Sequence, residues 1–217
     1  MTEIMDIGEL RCTVARGNTG SICHILSPVE VDARQVEQWS RKYGITVDVI
    51  TGMDWDNDLT PWPAPNVPAS EPPFKGHAAE FLRRLETEVI PAIEGNVRYT
   101  RTLCGISLSG LFSLWAWMRS DTFANIGCLS GSFWYEGFSQ WLRANACAKA
   151  GRAYFSLGTK EGGPRGPKTF ALIQEQTREV VATIESKGTA CTFEPVAGTH
   201  FAPPGPRIEK MLDWLVK

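Results

Sequence analysis

Apolar residues recur along the chain at two spacings, and the order of these spacings predicts an α/β fold. Short runs of β-branched and apolar residues predict buried strands, whereas longer segments with apolar residues at helical intervals predict helices. We expect strands at residues 10–15, 22–26, 45–50, 99–104, 126–130, 152–157 and 190–194. We expect helices at residues 32–43, 77–93, 111–118, 137–149, 168–187 and 207–216. This alternation predicts a doubly wound, mostly parallel sheet with helices on both faces.

One segment, residues 51–76, interrupts the alternation. It is rich in proline and carries Trp55 and Trp62, but it shows neither period. Loops of this length are uncommon within a domain and often serve as lids or binding loops. We therefore expect a single domain over residues 1–217, without a large cap domain, in which residues 51–76 form a lid or pocket loop. A disordered linker is the alternative, which the two tryptophans and the lack of a second domain disfavour.

The junction between the fourth predicted strand and its helix reads Gly105-Ile106-Ser107-Leu108-Ser109. Small residues two places on either side of a serine, between a strand and an apolar helix, are typical of the nucleophile elbow of α/β-hydrolases. The chain reverses so sharply there that the serine adopts a strained backbone conformation, and larger side chains at these positions would collide. Ser109 replaces the usual second glycine and is small enough for the turn. Ser107 is therefore the candidate nucleophile.

A serine hydroxyl needs a histidine to take its proton, and the histidine needs an acid that fixes its orientation. In α/β-hydrolases these residues follow the order serine, acid, histidine. Of the three histidines, His24 and His77 precede Ser107, whereas His200 lies between the last predicted strand and the last predicted helix. His200 is therefore the candidate base.

The acid is expected just after the strand that ends at Leu157. Glu161 is the carboxylate of that loop and is the candidate acid. Glu136 and Glu194 are alternative acids, and a Ser–His dyad without an acid is a third arrangement that the sequence leaves open.

Backbone N–H groups are expected to stabilise the oxyanion of the reaction. In this fold one comes from the residue after the nucleophile, here Leu108, and the other from the loop after an earlier strand. Gly52 and Met53 are the candidates for the second donor, and the sequence does not choose between them.

Aromatic residues in the loops at the carboxyl edge of the predicted sheet indicate a substrate pocket. Trp55, Trp62 and Trp134 are the candidate pocket residues. Ser130 has small residues on either side, as at an elbow, but the aromatic residues after it do not open an apolar helix. We therefore interpret Ser130 as part of a pocket wall.

Composition limits the partners and the compartment. The formal net charge of −2 gives no electrostatic reason to expect nucleic acid or an anionic membrane. No apolar run approaches the roughly 20 residues of a membrane span, and the N-terminal residues are acidic where a signal peptide would be basic. The 6 cysteines are scattered singly, which favours a reducing cytoplasm over a disulfide framework or a zinc site. We expect a cytoplasmic protein without metal or cofactor, and the oligomeric state stays open.

Five segments resemble a family of esterases that includes esterase D-like proteins and siderophore esterases. Asp58-Leu59-Thr60-Pro61 looks like the D-L-T-P element of that family, and residues 81–94 are similar to its F-L…E-L-I-P-x-I-E helix. Residues 105–111 stand at its serine elbow. Residues 130–134 resemble its S-x-S-x-W segment, and residues 158–161 resemble its acid loop.

The resemblance covers about residues 45–217 and implies an α/β-hydrolase with carboxylic-ester hydrolase activity. It also implies Ser107 as nucleophile, His200 as base and Glu161 as acid. Siderophore esterases of the family tend to carry basic residues just before D-L-T-P, whereas this chain reads Trp55-Asp56-Asn57. That departure favours a small or apolar ester over a siderophore. The alternatives are acyl transfer, thioester or amide cleavage by the same serine, or a non-catalytic binding role.

Overall fold

Eight strands form one sheet in the computed structural model, which describes residues 2–67, 69–162 and 172–216. The strand order is β1-β2-β4-β3-β5-β6-β7-β8. The pairs β1–β2 and β2–β4 are antiparallel, and every other pair is parallel. The strands are β1 (Thr2–Ile7), β2 (Leu10–Ala15), β3 (Ser21–Leu26), β4 (Thr46–Thr51), β5 (Thr100–Ile106), β6 (Asn125–Leu129), β7 (Arg152–Gly158) and β8 (Ala190–Val196).

Helices cover both faces of the sheet, which confirms the predicted doubly wound α/β architecture. One core, beneath α2 to α6, contains Phe81, Phe112 and Ile184, and the core on the other face, beneath α1 and α7, contains Val36 and Met211. The helices are α1 (Ala33–Tyr43), α2 (Ala78–Arg84), α3 (Ile90–Glu94), α4 (Leu108–Arg119), α5 (Phe138–Asn145), α6 (Ile173–Ser186) and α7 (Gly205–Leu215).

The structure corrects three details of the sequence-based prediction. Strand β1 was not predicted, because it is a half-exposed edge strand and presents no continuous apolar run. The helix predicted at 77–93 contains a π-helical turn at Leu85–Val89, between α2 and α3. Helix α4 begins at Leu108 rather than at residue 111. The first part of the helix predicted at 168–187 lies outside the described residues.

Local sequence explains the ends of α1. The carboxylate of Asp32 accepts a hydrogen bond from the N–H of Arg34 at 2.8 Å, which satisfies one of the free donors at the helix start. Gly44 ends the helix with φ of 71°, where glycine avoids the steric cost of a side chain, and its N–H donates to Ser40 O. The chain then enters the buried strand β4.

The proline-rich segment is anchored to the rest of the protein. Leu59 and Phe74 are buried in the core beneath α2 to α6, and Ala64 and Phe74 form an isolated antiparallel bridge. The described part, residues 51–67 and 69–76, contains no helix. A role as lid or pocket loop stays a prediction.

A charged cluster that is separate from the loops at the carboxyl edge is buried against β3, β4 and β5. His24 on β3 is only 1% exposed; its Nδ1 lies 2.8 Å from Asp48 Oδ2 and its Nε2 lies 3.3 Å from Glu94 Oε1. Arg101 donates two hydrogen bonds to Glu94, at 2.8 and 2.7 Å. Burial opposes protonation of His24, but the two carboxylates outweigh it and raise its pKa to about 9.

No helix within the described ranges has the length and apolar character that crossing a membrane requires.

Candidate active site

Ser107 occupies a strained turn between β5 and α4. Its backbone has φ of 61° and ψ of −121°, a combination that non-glycine residues rarely adopt. A side chain at Gly105 would place its Cβ 2.0 Å from Ser109 O, so glycine is required at that position. The turn has the geometry of the predicted nucleophile elbow.

Ser109, at the place of the usual second glycine, is fully buried and hydrogen-bonded. Its Oγ accepts from the N–H of Ile106 at 2.7 Å and lies 2.8 Å from Leu26 O, to which it can donate. The hydroxyl therefore connects the turn to the neighbouring strand β3 by hydrogen bonds, and serine replaces the usual glycine at this position.

His200 joins Ser107 to Glu161. Its Nε2 lies 3.1 Å from Ser107 Oγ, and its Nδ1 lies 2.8 Å from Glu161 Oε2. The three residues follow the carboxyl ends of β5, β8 and β7, which the parallel sheet brings to one edge. An ionised carboxylate only accepts hydrogen bonds, so Nδ1 carries the proton and the lone pair of Nε2 faces the serine hydroxyl.

Glu161 is 6% exposed and lies in a site built for an ionised carboxylate. Its Oε1 accepts from the N–H of Gly158 at 2.7 Å and from Ser130 Oγ at 2.6 Å, while Oε2 faces His200. Burial alone would raise the pKa of Glu161, but the hydrogen bonds from His200, Ser130 and Gly158 hold it below its usual value.

The two alternative acids lie elsewhere. Glu194 accepts from Tyr154 Oη at 2.8 Å and pairs with Lys210. Glu136 is exposed in the loop before α5. The carboxylate that the structure brings to His200 is Glu161.

One predicted oxyanion donor, Leu108, directly follows Ser107, and the candidates for the other, Gly52 and Met53, directly follow β4. Leu108 is the first residue of α4, where backbone N–H groups lack partners within the helix and the helix dipole favours negative charge. Gly52 has φ of 88°, and a Cβ there would lie 2.3 Å from Glu9 O, which requires glycine. The side chain of Met53 is buried. The assignment of Gly52 or Met53 as the second donor stays a prediction.

Two serines after β6 have roles that the sequence did not indicate. The interpretation of Ser130 as a pocket wall is wrong: it is fully buried, has φ of 50°, and contacts Glu161 and Arg207. Ser132 Oγ lies 3.3 Å from Ser107 Oγ, and the N–H of Ser132 donates to Ser107 O. The run of small residues around Ser130 was a usable signal of an unusual turn.

A groove of about 370 Å³ lies between the loop after β6, α5 and α6. One side is aromatic and consists of Phe133, Trp134 and Tyr135. The other side is mainly polar and acidic, with Glu136, Gln140, Arg143, Glu175, Gln176 and Glu179. Arg143 forms an ion pair with Glu179, so Glu136 and Glu175 leave the groove net negative.

The three predicted pocket tryptophans take different positions. Trp134 lines the groove. Trp62 donates from Nε1 to Glu136 O at 2.9 Å and packs against Phe138, behind the aromatic side. Trp55 packs against the core beneath α2 to α6. Their contact with a substrate stays a prediction.

The described ranges contain no group of three or more His, Cys, Asp or Glu side chains arranged to hold a metal ion.

A serine at a strand-to-helix elbow, within hydrogen-bonding distance of a histidine on a mostly parallel sheet, is the arrangement typical of serine hydrolases of the α/β-hydrolase type. A family model described as "Putative esterase" matches residues 32–203. The chain belongs to that family.

Known structures and sequences agree with this placement. An IroE-like serine hydrolase from Shewanella oneidensis has a TM-score of 0.78 and 16% identity, over 100% of this chain and 79% of the other. The siderophore hydrolase EstB from Aspergillus nidulans has a TM-score of 0.78 and 18% identity, over 99% and 94%. At these identities the likeness establishes the shared fold.

A curated relative, the uncharacterized protein YbbA of Bacillus subtilis, is 29% identical over 150 residues. The match covers 64% of this chain and 60% of that relative, which is less than two thirds of its length.

Proposed function

We propose that the protein hydrolyses carboxylic esters through an acyl-enzyme formed on Ser107. The observation that carries this proposal is the hydrogen-bonded chain from Ser107 Oγ through His200 to Glu161, at 3.1 and 2.8 Å, on a strained elbow. Both distances lie within the range that proton transfer between positioned groups requires.

In the first half-reaction His200 Nε2 takes the proton of Ser107 as Oγ attacks the ester carbonyl carbon. The resulting oxyanion accepts hydrogen bonds from the N–H of Leu108 and from that of Gly52 or Met53. The tetrahedral intermediate collapses, the bond to the leaving alkoxy group breaks, and His200 gives its proton to the departing alcohol. A water molecule then repeats the sequence on the acyl-enzyme and releases the acid.

Glu161 orients His200 throughout and stabilises the imidazolium that forms in each half-reaction. Its lowered pKa keeps the carboxylate ionised at neutral pH, so Oε2 continues to accept from Nδ1. The base at Nε2 therefore stays directed at Ser107.

The groove beside the site supports a small or apolar ester as substrate. Two chain neighbours of groove residues contact the site: Ser132, next to Phe133, lies 3.3 Å from Ser107 Oγ, and Gln174, next to Glu175, donates from Nε2 to Glu161 O at 3.1 Å. The aromatic side suits an apolar acyl or alkyl group, while the acidic side repels an anionic one. The structurally similar EstB of Aspergillus nidulans is a siderophore hydrolase, and a siderophore lactone is the competing substrate that a test must include.

The test is a series of p-nitrophenyl esters of increasing acyl length, with a siderophore lactone and an alcohol acceptor in parallel. We expect hydrolysis of short or apolar esters and a loss of at least about 1,000-fold in kcat for Ser107→Ala. Undiminished hydrolysis by Ser107→Ala would contradict the proposal. Transfer of the acyl group to the alcohol in preference to water would identify an acyltransferase instead.

The contribution of the groove is tested with esters of equal length that carry a neutral or an anionic acyl end. We expect preference for the neutral ester, and a reduced preference in Glu175→Gln. Glu185→Gln is the matched control, because Glu185 is exposed on the same helix and outside the groove. An equal rate for both esters would leave the esterase proposal standing and remove the role of the groove.

A further inference from the structure

Arg207 is a buried cation in an unfavourable place. It lies in the first turn of α7 and is only 4% exposed. A buried guanidinium is costly unless it is paired, and the positive end of a helix dipole disfavours a cation in the first turn. Such a residue is expected only where its contacts outweigh both costs.

The guanidinium contacts all three loops that follow β6, β7 and β8. Nη1 donates to Ser130 Oγ at 2.6 Å and lies 3.4 Å from Glu161 Oε1. Nη2 donates to Thr199 O at 2.6 Å, next to His200. One side chain therefore joins the loop of the acid to the loop of the base.

Ser130 links Arg207 to Glu161 through two hydrogen bonds. Its hydroxyl accepts from Arg207 and donates to Glu161 Oε1 at 2.6 Å, so the two hydrogen bonds reinforce one another. The N–H of Gly158 is a further donor to the same oxygen. Because these donors occupy Oε1, the carboxylate can turn only Oε2 towards His200.

The chain leaves space for this arrangement at Gly158. A Cβ at Gly158 would lie 2.6 Å from Glu161 Oε1 and 2.9 Å from Arg207 Nη2. Ser130 holds its place with φ of 50°, which costs a non-glycine residue free energy. Both positions are therefore constrained around the contact between the carboxylate and the guanidinium.

We propose that Arg207 and Ser130 are positioning residues, which fix Oε2 of Glu161 on His200 Nδ1 and hold the backbone beside His200 through Thr199 O. Neither side chain takes part in bond making. The inference rests on the proposed Ser107–His200–Glu161 chemistry and assigns a unit that supports it.

The test compares Arg207→Met, Arg207→Lys and Ser130→Ala with the unmodified chain. We expect kcat to fall about 10- to 100-fold in Arg207→Met, which corresponds to the loss of one or two hydrogen bonds to a charged group. KM should stay within about 3-fold, because the guanidinium is buried behind the acid. Arg207→Lys keeps the charge and should recover part of kcat.

Two further readouts separate positioning from simple stability. The rate at which a fluorophosphonate labels Ser107 should fall in parallel with kcat. In Ser130→Ala, activity at pH 5 relative to pH 8 should also fall more than in the unmodified chain, because Glu161 loses one of the hydrogen bonds that lower its pKa. Ser130→Ala removes only a hydroxyl and carries the same test if Arg207→Met does not fold.

Arg101→Met is the matched control. Arg101 also pairs with a buried glutamate, Glu94, but it lies near the start of β5, roughly 20 Å along the strand from Ser107. The Arg101→Met substitution should lower the free energy of unfolding and leave kcat within about 2-fold of the unmodified value. If folded Arg207→Met and Ser130→Ala both kept kcat within about 2-fold while Ser107→Ala was inactive, the positioning role would be refuted and the esterase proposal would stand. If Ser107→Ala stayed active, the esterase proposal itself would fail.

Discussion

Replacing Glu161 by glutamine changes one atom of the side chain and tests the orientation of His200. Oε1 of Glu161 accepts hydrogen bonds from Gly158 and Ser130, with Arg207 close by. In the variant these donors require the amide oxygen at that place, so the amide NH2 must face His200 Nδ1.

The amide group then forces the wrong tautomer on the histidine. The NH2 group only donates, so Nδ1 must accept and the imidazole proton moves to Nε2. Nε2 would then donate to Ser107 Oγ, 3.1 Å away, and could not take its proton. The same exchange in a serine protease triad lowers kcat about 10,000-fold. We expect a loss of about 1,000- to 10,000-fold in kcat here, or about 4 to 5.5 kcal/mol in the barrier.

The assay is steady-state hydrolysis of a p-nitrophenyl ester, with circular dichroism to show that each variant is folded. Glu194→Gln is the control, because Glu194 contacts Tyr154 and Lys210 rather than His200. A Glu161→Gln enzyme within about 10-fold of the unmodified kcat would refute the assignment of the acid. If kcat instead fell strongly in Glu136→Gln or Glu194→Gln, that residue would be the acid that orients His200.

Three stability predictions follow from the buried contacts, each measured by urea unfolding. The carboxylate neighbours of His24 raise its pKa to about 9. Its contribution to the free energy of unfolding is therefore fully present below pH 6.5, the ordinary pKa of histidine, and is lost as pH rises through 9. The free energy of unfolding should fall by about 3 kcal/mol over that window, and an equal fall in His24→Phe would contradict this. Ser109→Gly should lower the free energy of unfolding by about 1–3 kcal/mol, because Leu26 O and the turn lose a buried hydrogen-bond partner. Activity should persist in this variant, and unchanged stability would contradict the role of this hydroxyl. Gly105→Ala should cost at least about 3 kcal/mol and abolish activity, since its Cβ would lie 2.0 Å from a backbone oxygen; a stable, active variant would refute the steric argument.

Much of the fold was predictable because buried positions are mostly apolar and recur with the spacing of the helix or strand that contains them. Strands β3 and β4 are almost entirely buried and are rich in β-branched and apolar residues, whereas β1 is half-exposed and gave no such signal. The π-helical turn was not predictable, because its residues continue the apolar spacing of the helix on either side. The start of α4 was placed late because Ser109 and Gly110 are poor helix formers in isolation.

The candidate triad could be located from the serine motif together with the topology, although Glu136 and Glu194 stayed open as alternative acids. In a parallel sheet the carboxyl ends of neighbouring strands meet at one edge, so loops after β5, β7 and β8 had to converge. The contacts of Arg207 could not be found in this way, because they join a helix to three loops up to 77 residues away in the chain. Nothing in the sequence around Arg207 distinguishes it from a solvated arginine at the start of a helix.

The most direct test of the central claim is the site at which a fluorophosphonate attaches. Such a probe forms a covalent bond only with a serine whose hydroxyl is activated by a base. The structure predicts a single adduct on Ser107, located by mass spectrometry of the digested protein, and its loss in both Ser107→Ala and His200→Ala. An unlabelled wild type, or an adduct that persists in Ser107→Ala, would contradict the assignment of this serine as the nucleophile.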